Sequence, residues 1–510
     1  MVTTRKILSN TFAQIVGKVG LSLLGFLSAK LVAVYLTLPE RGHYEYAFNF
    51  LALAGTFADM GLYTIAIREY SKKEEPAEKV LGNILSIRNA LSILVLTIAL
   101  ILLLIVPSFR ERGPTFIVAV LLAGGAMMLS LLNGTITGVL QAEYKMKQAS
   151  FSQVLGKILN ILLMALGIFA LFPKNSPGEP VSFWGFEWLY FAALLGNLAM
   201  YMYTRHQVKK ILPIKYRFDW DYWKKLFKDA FPYGLALTLG LFYFKIDVLL
   251  IPAFMSKELA DQQIAIYVGA VKILENVSII PLFFLNALLP LMLSLIKEKN
   301  YEKLRAVIQS SFDLLFMMSA PLVIATYILA YPIIFVTNKG DYLSNLSAGF
   351  FGSDIILQIV IFSVFFSYLN LLFNFLLVAQ GSQKRLIYIN GLTLLFNLVS
   401  NILFIPKFGI VACAVNTVIC EFIVLVCTYH FSKQGIEFRI GMSRVIRILI
   451  AALFMGGVLM MTKEWFVVNF GSLIGLALLF IQACMVYGII LIALKVINKD
   501  IMRLLKRTED

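Results

Sequence analysis

Fourteen long apolar runs dominate this sequence and decide what it can fold into. A helix that crosses a bilayer needs about 20 mostly apolar residues. The runs are 12–36, 44–67, 80–106, 114–138, 147–172, 184–204, 230–253, 264–294, 307–337, 355–380, 385–406, 409–431, 443–467 and 471–494. Charged or Pro/Gly-bearing breaks separate them, among them Pro39-Glu40-Arg41-Gly42 and Pro173-Lys174-Asn175-Ser176-Pro177-Gly178. The narrowest break is Pro406-Lys407-Phe408-Gly409. Several runs are rich in Leu and Ile on every side, which predicts helices; the strands of a membrane barrel would be short and alternating. The expected fold class is an all-α polytopic membrane protein with about 14 transmembrane helices. The chain is 60% hydrophobic and 15% charged, whereas a soluble domain is roughly 45–50% apolar with about a quarter of its residues charged. A cytosolic enzyme, a secreted disulfide scaffold and a disordered chain are excluded.

The basic excess, 45 Lys+Arg against 29 Asp+Glu, has a topological origin. With the N-terminus in the cytoplasm, thirty Lys and Arg fall between runs on the inner side and eight on the outer side. The inner set includes Arg68, Lys72 and Lys73, eight residues in 205–228, and Lys499, Arg503, Lys506 and Arg507. This is the positive-inside pattern. It predicts a multi-pass protein of the cytoplasmic membrane with both termini cytoplasmic, and it removes nucleic-acid binding as the reason for the charge. Arg5 and Lys6 precede a first run too long for the core of a signal peptide, so a retained first span is expected. Segment 205–228 interleaves its basic residues with Tyr216, Phe218, Trp220, Tyr222 and Trp223, the pattern of an interfacial helix on anionic headgroups. Cys413, Cys420 and Cys427 recur every seven residues, as small residues at a packed seam do. No His or carboxylate spacing completes a zinc site beside them, and no metal is expected.

The two halves of the chain share weak patterns. Gln141-x-x-x-Lys145 precedes run five and Gln380-x-x-x-Lys384 precedes run eleven; Tyr44-x-x-Ala47 opens run two and Tyr267-x-x-Ala270 run eight. Both pairs lie six runs apart. An even offset keeps orientation, so two six-helix bundles related by a pseudo-twofold axis along the membrane normal are expected, followed by two C-terminal helices. The expected organisation is a first bundle over 1–204, a cytoplasmic basic linker over 205–229, a second bundle over 230–431, and two extra helices with a cytoplasmic tail over 432–510.

This arrangement resembles the polysaccharide-biosynthesis flippases of the MOP superfamily, which also holds MATE exporters and lipid II flippases. The local similarities are Phe57-Ala58-Asp59-Met60-Gly61-Leu62, Gly138-Val139-Leu140-Gln141-Ala142, Lys245-Ile246-Asp247, Ile266-Tyr267-Val268-Gly269-Ala270 and Pro281 with Leu289-Pro290. They span most of residues 1–430. The resemblance implies export of a lipid-linked oligosaccharide from the inner to the outer leaflet.

Ionisable residues inside a span are costly and usually face a cavity or a partner. Seven basic residues lie in the runs or at their ends: Lys18, Lys30, Arg88, Lys157, Lys245, Lys272 and Lys495. At a rise of about 1.5 Å per residue, Lys18 lies roughly 9 Å, Arg88 roughly 12 Å, Lys157 roughly 15 Å and Lys245 roughly 22 Å from the inner face. Lys272 lies roughly 12 Å below the outer one. Lys18, Arg88, Lys157, Lys245 and Lys272 are the candidates for a cationic cavity that holds the diphosphate of a polyprenyl-linked glycan. Lys30 and Lys495 read as snorkelling side chains. Asp59, Asp247, Glu275 and Glu421 are candidates for ion coupling or structural pairing. Lys272 and Glu275, three apart, meet on one face; Lys245 and Asp247 do not. Glu421 sits near the midplane of its run, and Asp59 caps or pairs locally. Asn residues in the runs, Asn370, Asn397 and Asn401 among them, serve as interhelical glue, and Pro281 breaks run eight.

The leading reading is a flippase that works by alternating access for cell-surface polysaccharide biosynthesis. A MATE-like ion-coupled multidrug exporter is the alternative, although its cavity should be acidic and aromatic where the bias here is basic. A lipid II flippase is a third reading, since its cargo is also a polyprenyl diphosphate. A membrane polysaccharide polymerase or glycosyltransferase fits less well. The outer loops are short, and His43, His206 and His430 are the only histidines. No Gly-x-x-x-x-Gly-Lys phosphate loop is present. The chain is expected not to be an enzyme and to bind no cofactor beyond a coupling ion, H+ or Na+. Its expected partners are the lipid-linked glycan, membrane lipids and polysaccharide assembly enzymes, and it is expected to act as a monomer.

Overall fold

A computed structural model of the protein describes residues 4–62, 69–70, 75–143, 145–174, 176, 178–278 and 280–496. Arg68, Lys72, Lys73, Asn175, Pro177, Lys499, Arg503, Lys506, Arg507 and the end of run two lie outside them. The main helices are α1 (Thr4–Tyr35), α2 (Leu38–Asp59), α3 (Ala77–Ile105), α4 (Pro114–Ala142), α5 (Met146–Leu166), α6 (Phe183–Lys209), α7 (Trp220–Leu250) and α8 (Lys257–Ser278). They continue with α9 (Ile280–Lys297), α10 (Tyr301–Ile328), α11 (Ala330–Thr337), α12 (Ser353–Ala379), α13 (Gln383–Phe408), α14 (Ile410–Gly435) and α15 (Met442–Ala493). Among the described residues, every apolar run falls on helix. The last two runs share α15, which breaks at Gly471 (φ 75, ψ 165). Among the described residues, nine helical stretches are long and apolar enough to cross a membrane. The remaining runs fall short of that measure for local reasons. For example, α2 carries Glu40, Arg41, Glu45 and Asp59, and α7 opens on Asp221, Lys224, Lys225 and Lys228.

Helix ends follow ordinary capping chemistry. Glu40 reaches back to the amide of Thr37 at 2.9 Å and starts α2. The Asp219 carboxylate accepts from the Tyr222 amide at 3.1 Å and starts α7. Such caps satisfy backbone donors that a helix leaves unpaired. The apolar run of α2 extends to 67, but the helix stops at Asp59, because Met60 (φ 36) and Gly61 (φ 75) turn left-handed. Run eight is carried by α8 and α9, and residue 279, which precedes Ile280 and Pro281, lies outside the described residues.

Polarity is inverted relative to a water-soluble protein. Met461 is 87% exposed, Val468 81% and Phe169 71%, while Asn83, Asp247, Asn397 and Asn401 are fully buried. Lipid as solvent explains both, since apolar side chains lose nothing by facing it and polar ones must find protein partners. Close packing and hydrogen bonds then hold helices together. A Cβ on Gly156 of α5 would lie 2.7 Å from the Gly196 carbonyl oxygen of α6, and one on Gly196 equally close to the Gly156 carbonyl.

The chain divides into two compact units, Met1–Ala265 and Ile266–Asp510. This packing boundary falls within α8, later than the linker at 205–229. In the first unit, Leu85, Ile136, Leu140 and Val208 centre one apolar cluster. A second, around Ile84, Ile87, Tyr222 and Leu226, fastens the start of α7 to α3. The linker runs as a strap along the start of α3. The Arg217 amide donates to the Gly82 carbonyl at 3.3 Å and the Asp219 amide to Asn83 at 2.9 Å. Lys79 bridges Glu75 at 3.3 Å and Asp219 at 3.5 Å. In the second unit, Leu304, Leu315, Phe373 and Ile448 share one cluster, and Met455, Leu459 and Leu479 another. There Asn416 donates to Asn401 at 2.9 Å across α13 and α14, and Asn401 to Asn397 at 2.9 Å. Cys413 and Cys420 are buried on the same face of α14, the latter donating to the Thr393 carbonyl of α13.

Candidate functional site

The break after Asp59 shapes the polar interior of the first unit. Because α2 ends there, the Asp59 carboxyl stands on the wall of an open cavity of about 570 Å³ lined by α2, α4, α6 and α7. Thr56, Ser130, Asn197 and Thr238 give that wall further polar groups, while Phe48 and Leu241 are apolar. Asp59 pairs with Arg88 of α3. Arg88 is itself only 1% exposed and sits behind Asp59 rather than on the wall. Its Nη1 donates to the Leu131 carbonyl at 2.7 Å and to Thr135 Oγ1 at 2.7 Å, both on α4. Its Nε has no partner among the described residues. One guanidinium thus joins α2, α3 and α4 and keeps a donor in reserve.

The other expected site residues of this unit are distributed. Lys245 of α7 donates to Asn49 Oδ1 of α2 at 3.4 Å, and Asn49 is oriented by its own bond to the Glu45 carbonyl at 2.8 Å. Leu241, one helical turn before Lys245, lines the cavity. Lys157 of α5 donates to Ser28 of α1 at 3.1 Å. Lys18 lies on an exposed part of α1, and Asp247 is fully buried in α7. In the second unit, Lys272 and Glu275 are half-buried on α8. The Lys272 carbonyl accepts from Asn276 at 2.8 Å. Glu421 of α14 is buried and accepts from Asn370 of α12 at 2.6 Å.

A further polar cluster escapes sequence reasoning. Where α2, α6 and α8 begin, Arg41 pairs with Glu45 at 2.8 Å and Arg112 with Asp261 at 2.7 Å, all four buried. Arg112 also lies over the Tyr46 ring at 4.0 Å. His43 is wedged against Phe116 and Phe186, with Nδ1 3.8 Å from Asp261. Arg41 and Arg112 read as loop charges in the sequence. The four-residue spacing of Arg41 and Glu45 is the one signal that points to the first pair. Nothing local points to the second.

Comparison with known proteins matches this geometry to a lineage. A family model described as polysaccharide biosynthesis protein matches residues 7–296, and one described as MatE matches residues 232–403. The chain is 25% identical over 346 residues to an uncharacterized membrane protein of Methanocaldococcus jannaschii, a match spanning 66% of this chain and 63% of that protein. The solved structure of the lipid II flippase MurJ in an inward closed conformation is similar with a TM-score of 0.71 at 15% identity, covering 95% of this chain and 98% of that one. An inward-facing multidrug resistance MATE family transporter of the MOP superfamily is similar with a TM-score of 0.60 at 14% identity, covering 84% and 95%. The fold is therefore the all-α membrane fold shared with these flippase and transporter structures. Within it, this chain belongs to the polysaccharide biosynthesis protein family, whose model covers more than half of its length.

Proposed function

We propose that this protein flips a polyprenyl-diphosphate-linked oligosaccharide from the inner to the outer leaflet of the cytoplasmic membrane, as a transporter rather than an enzyme. The observation that carries this reading is Arg88, a buried guanidinium behind the cavity wall with Asp59 as its counter-ion and an unused Nε–H. A diphosphate leaving the headgroup layer needs a cationic donor to replace its water. Asp59 orients Arg88 and screens it; phosphate oxygens in the cavity compete with that carboxylate for the guanidinium. Lys18, Lys157, Lys245 and Lys272 extend the cationic surface along the route. The lipid tail stays in the bilayer while the sugar head crosses in the polar interior. Asp247 or Glu421 couples the cycle to a proton or sodium gradient. Both termini face the cytoplasm, and the segment 211–220 rests on anionic headgroups through Phe218 and Trp220.

Translocation of defined polyprenyl-diphosphate glycans in proteoliposomes tests the reading. Wild-type protein moves them; Arg88→Gln, present at wild-type level in the membrane, does not. Undiminished transport after Arg88→Glu overturns the role of the guanidinium. A cysteine at Lys174 and one at Lys210 label from opposite sides of the membrane if the topology is right. A second reading, ion-coupled export of organic cations, is favoured by the acid on the cavity wall and by the MatE match. Export of a cationic dye without glycan movement selects it. Movement of lipid II alone selects the peptidoglycan precursor as cargo.

A further inference from the structure

We infer that Glu187 is a proton-carrying group, set at the end of the first unit where α2, α6 and α8 begin, and used in the translocation cycle proposed above, on which this inference rests. Glu187 follows Phe183 by four residues on α6. It is 3% exposed, and neither carboxyl oxygen accepts a hydrogen bond from any donor among the described residues. The neighbouring buried acids differ: Glu45 has Arg41 and Asp261 has Arg112.

The elements around it bring their charged groups already engaged. From α2, Tyr44 lies 5.0 Å from the Tyr190 ring, and Arg41 is bound to Glu45 and to the Ala29 carbonyl. His43 meets Phe186, the residue before Glu187, at 5.5 Å between centroids; its Nε2 is also without a hydrogen-bond partner among the described residues. Ahead of α4, Arg112 is taken by Asp261 and Tyr46. From α5, the Leu163 carbonyl is taken by Trp188 Nε1, and beyond that helix the Phe172 carbonyl is taken by the Tyr35 hydroxyl. On α8, Lys257 donates to the Glu111 carbonyl. None of them donates to Glu187.

An ionised carboxylate with neither donor nor cation is poorly tolerated in a low-dielectric interior, whereas the neutral acid carries no net charge to compensate. The arrangement thus favours Glu187 as the acid in this conformation. Glu187 lies roughly 6 Å along α6 from its first residue, so a modest opening at this end admits water and lets the proton leave. A buried acid that alternates between a dry and a wetted state is a carrier of protons.

Infrared spectra of the full-length protein in nanodiscs read the carbonyl stretch of a protonated carboxyl directly. At neutral pH the wild type shows a band that Glu187→Gln lacks and Glu187→Asp displaces. Spectra identical to wild type in both variants overturn the inference. In proteoliposomes, an imposed pH gradient raises wild-type transport, and in Glu187→Gln the ratio of rates with and without the gradient falls below the wild-type value. A ratio kept at the wild-type value also overturns it. If the wild type moves no lipid-linked glycan under any condition, the flippase reading fails, and the infrared band still decides whether Glu187 holds a proton.

Discussion

Asp59, the last residue of α2, and Arg88 of α3 form an ion pair across 29 residues of sequence, and the same guanidinium fastens both helices to Thr135 of α4. Removing one partner of a buried pair typically costs about 3–5 kcal/mol. Asp59 keeps 35% of its side chain exposed, so Asp59→Asn is expected to cost less, about 1–2 kcal/mol. Arg88→Met also strips Thr135 and the Leu131 carbonyl of their donor and should cost about 2–4 kcal/mol. A double-mutant cycle by denaturant unfolding in detergent checks the coupling. Strictly additive losses would show that the pair does not act as a unit.

The contact of Gly156 with Gly196 predicts a packing defect. Gly156→Ala forces α5 away from the α6 backbone, with an expected loss of about 1–3 kcal/mol. Thermal unfolding reads the loss. A neutral or stabilising Ala, as helix propensity alone would favour, would mean that the helices separate freely.

Asn401 and Asn416 predict a smaller effect. Interhelical hydrogen bonds in membranes average about 0.6 kcal/mol and reach about 1.7. Asn416→Leu leaves the Asn401 amide oxygen without its donor, so a loss near the upper figure is expected. The double variant Asn401→Leu/Asn416→Leu should lose less than the sum of the singles. Equal losses from single and summed variants count against the bond.

Asp219 links pH to the linker. The Tyr222 amide, and then Lys79, hold its carboxyl below the usual aspartate range. A depressed carboxyl stabilises the fold above its unfolded value of about 3.8 and loses that contribution as pH falls through the lower folded value. Hydrogen-exchange protection of the Tyr222 amide should persist at pH 5 in the wild type and drop at neutral pH in Asp219→Ala. Equal protection in the two proteins would show that the cap is idle.

The helices are legible in the sequence because lipid imposes length and apolarity on anything that crosses it. Their ends are less so. The second run stays apolar past Asp59, and only the backbone handedness of Met60 and Gly61 stops the helix. Arg88 stands out as an intramembrane cation, but no local spacing reveals a partner 29 residues away. Arg112 is harder still. It sits in a short break between runs, and what buries it is Asp261, 149 residues along the chain. Glu187, inside an apolar run dense in Phe and Trp, differs from Glu45 and Asp261 by having no donor among the described residues, which no sequence pattern records.

A single residue, Gly409 (φ 57, ψ −140), joins α13 to α14, and the amides that bridge them are 15 residues apart. So short a closure costs little chain entropy, and contacts this local form early. During synthesis the two helices can enter the bilayer as one hairpin, with Asn401 already joined to Asn416. Neither of those two amides then enters lipid alone, and the second unit has a seed in its interior on which later helices assemble.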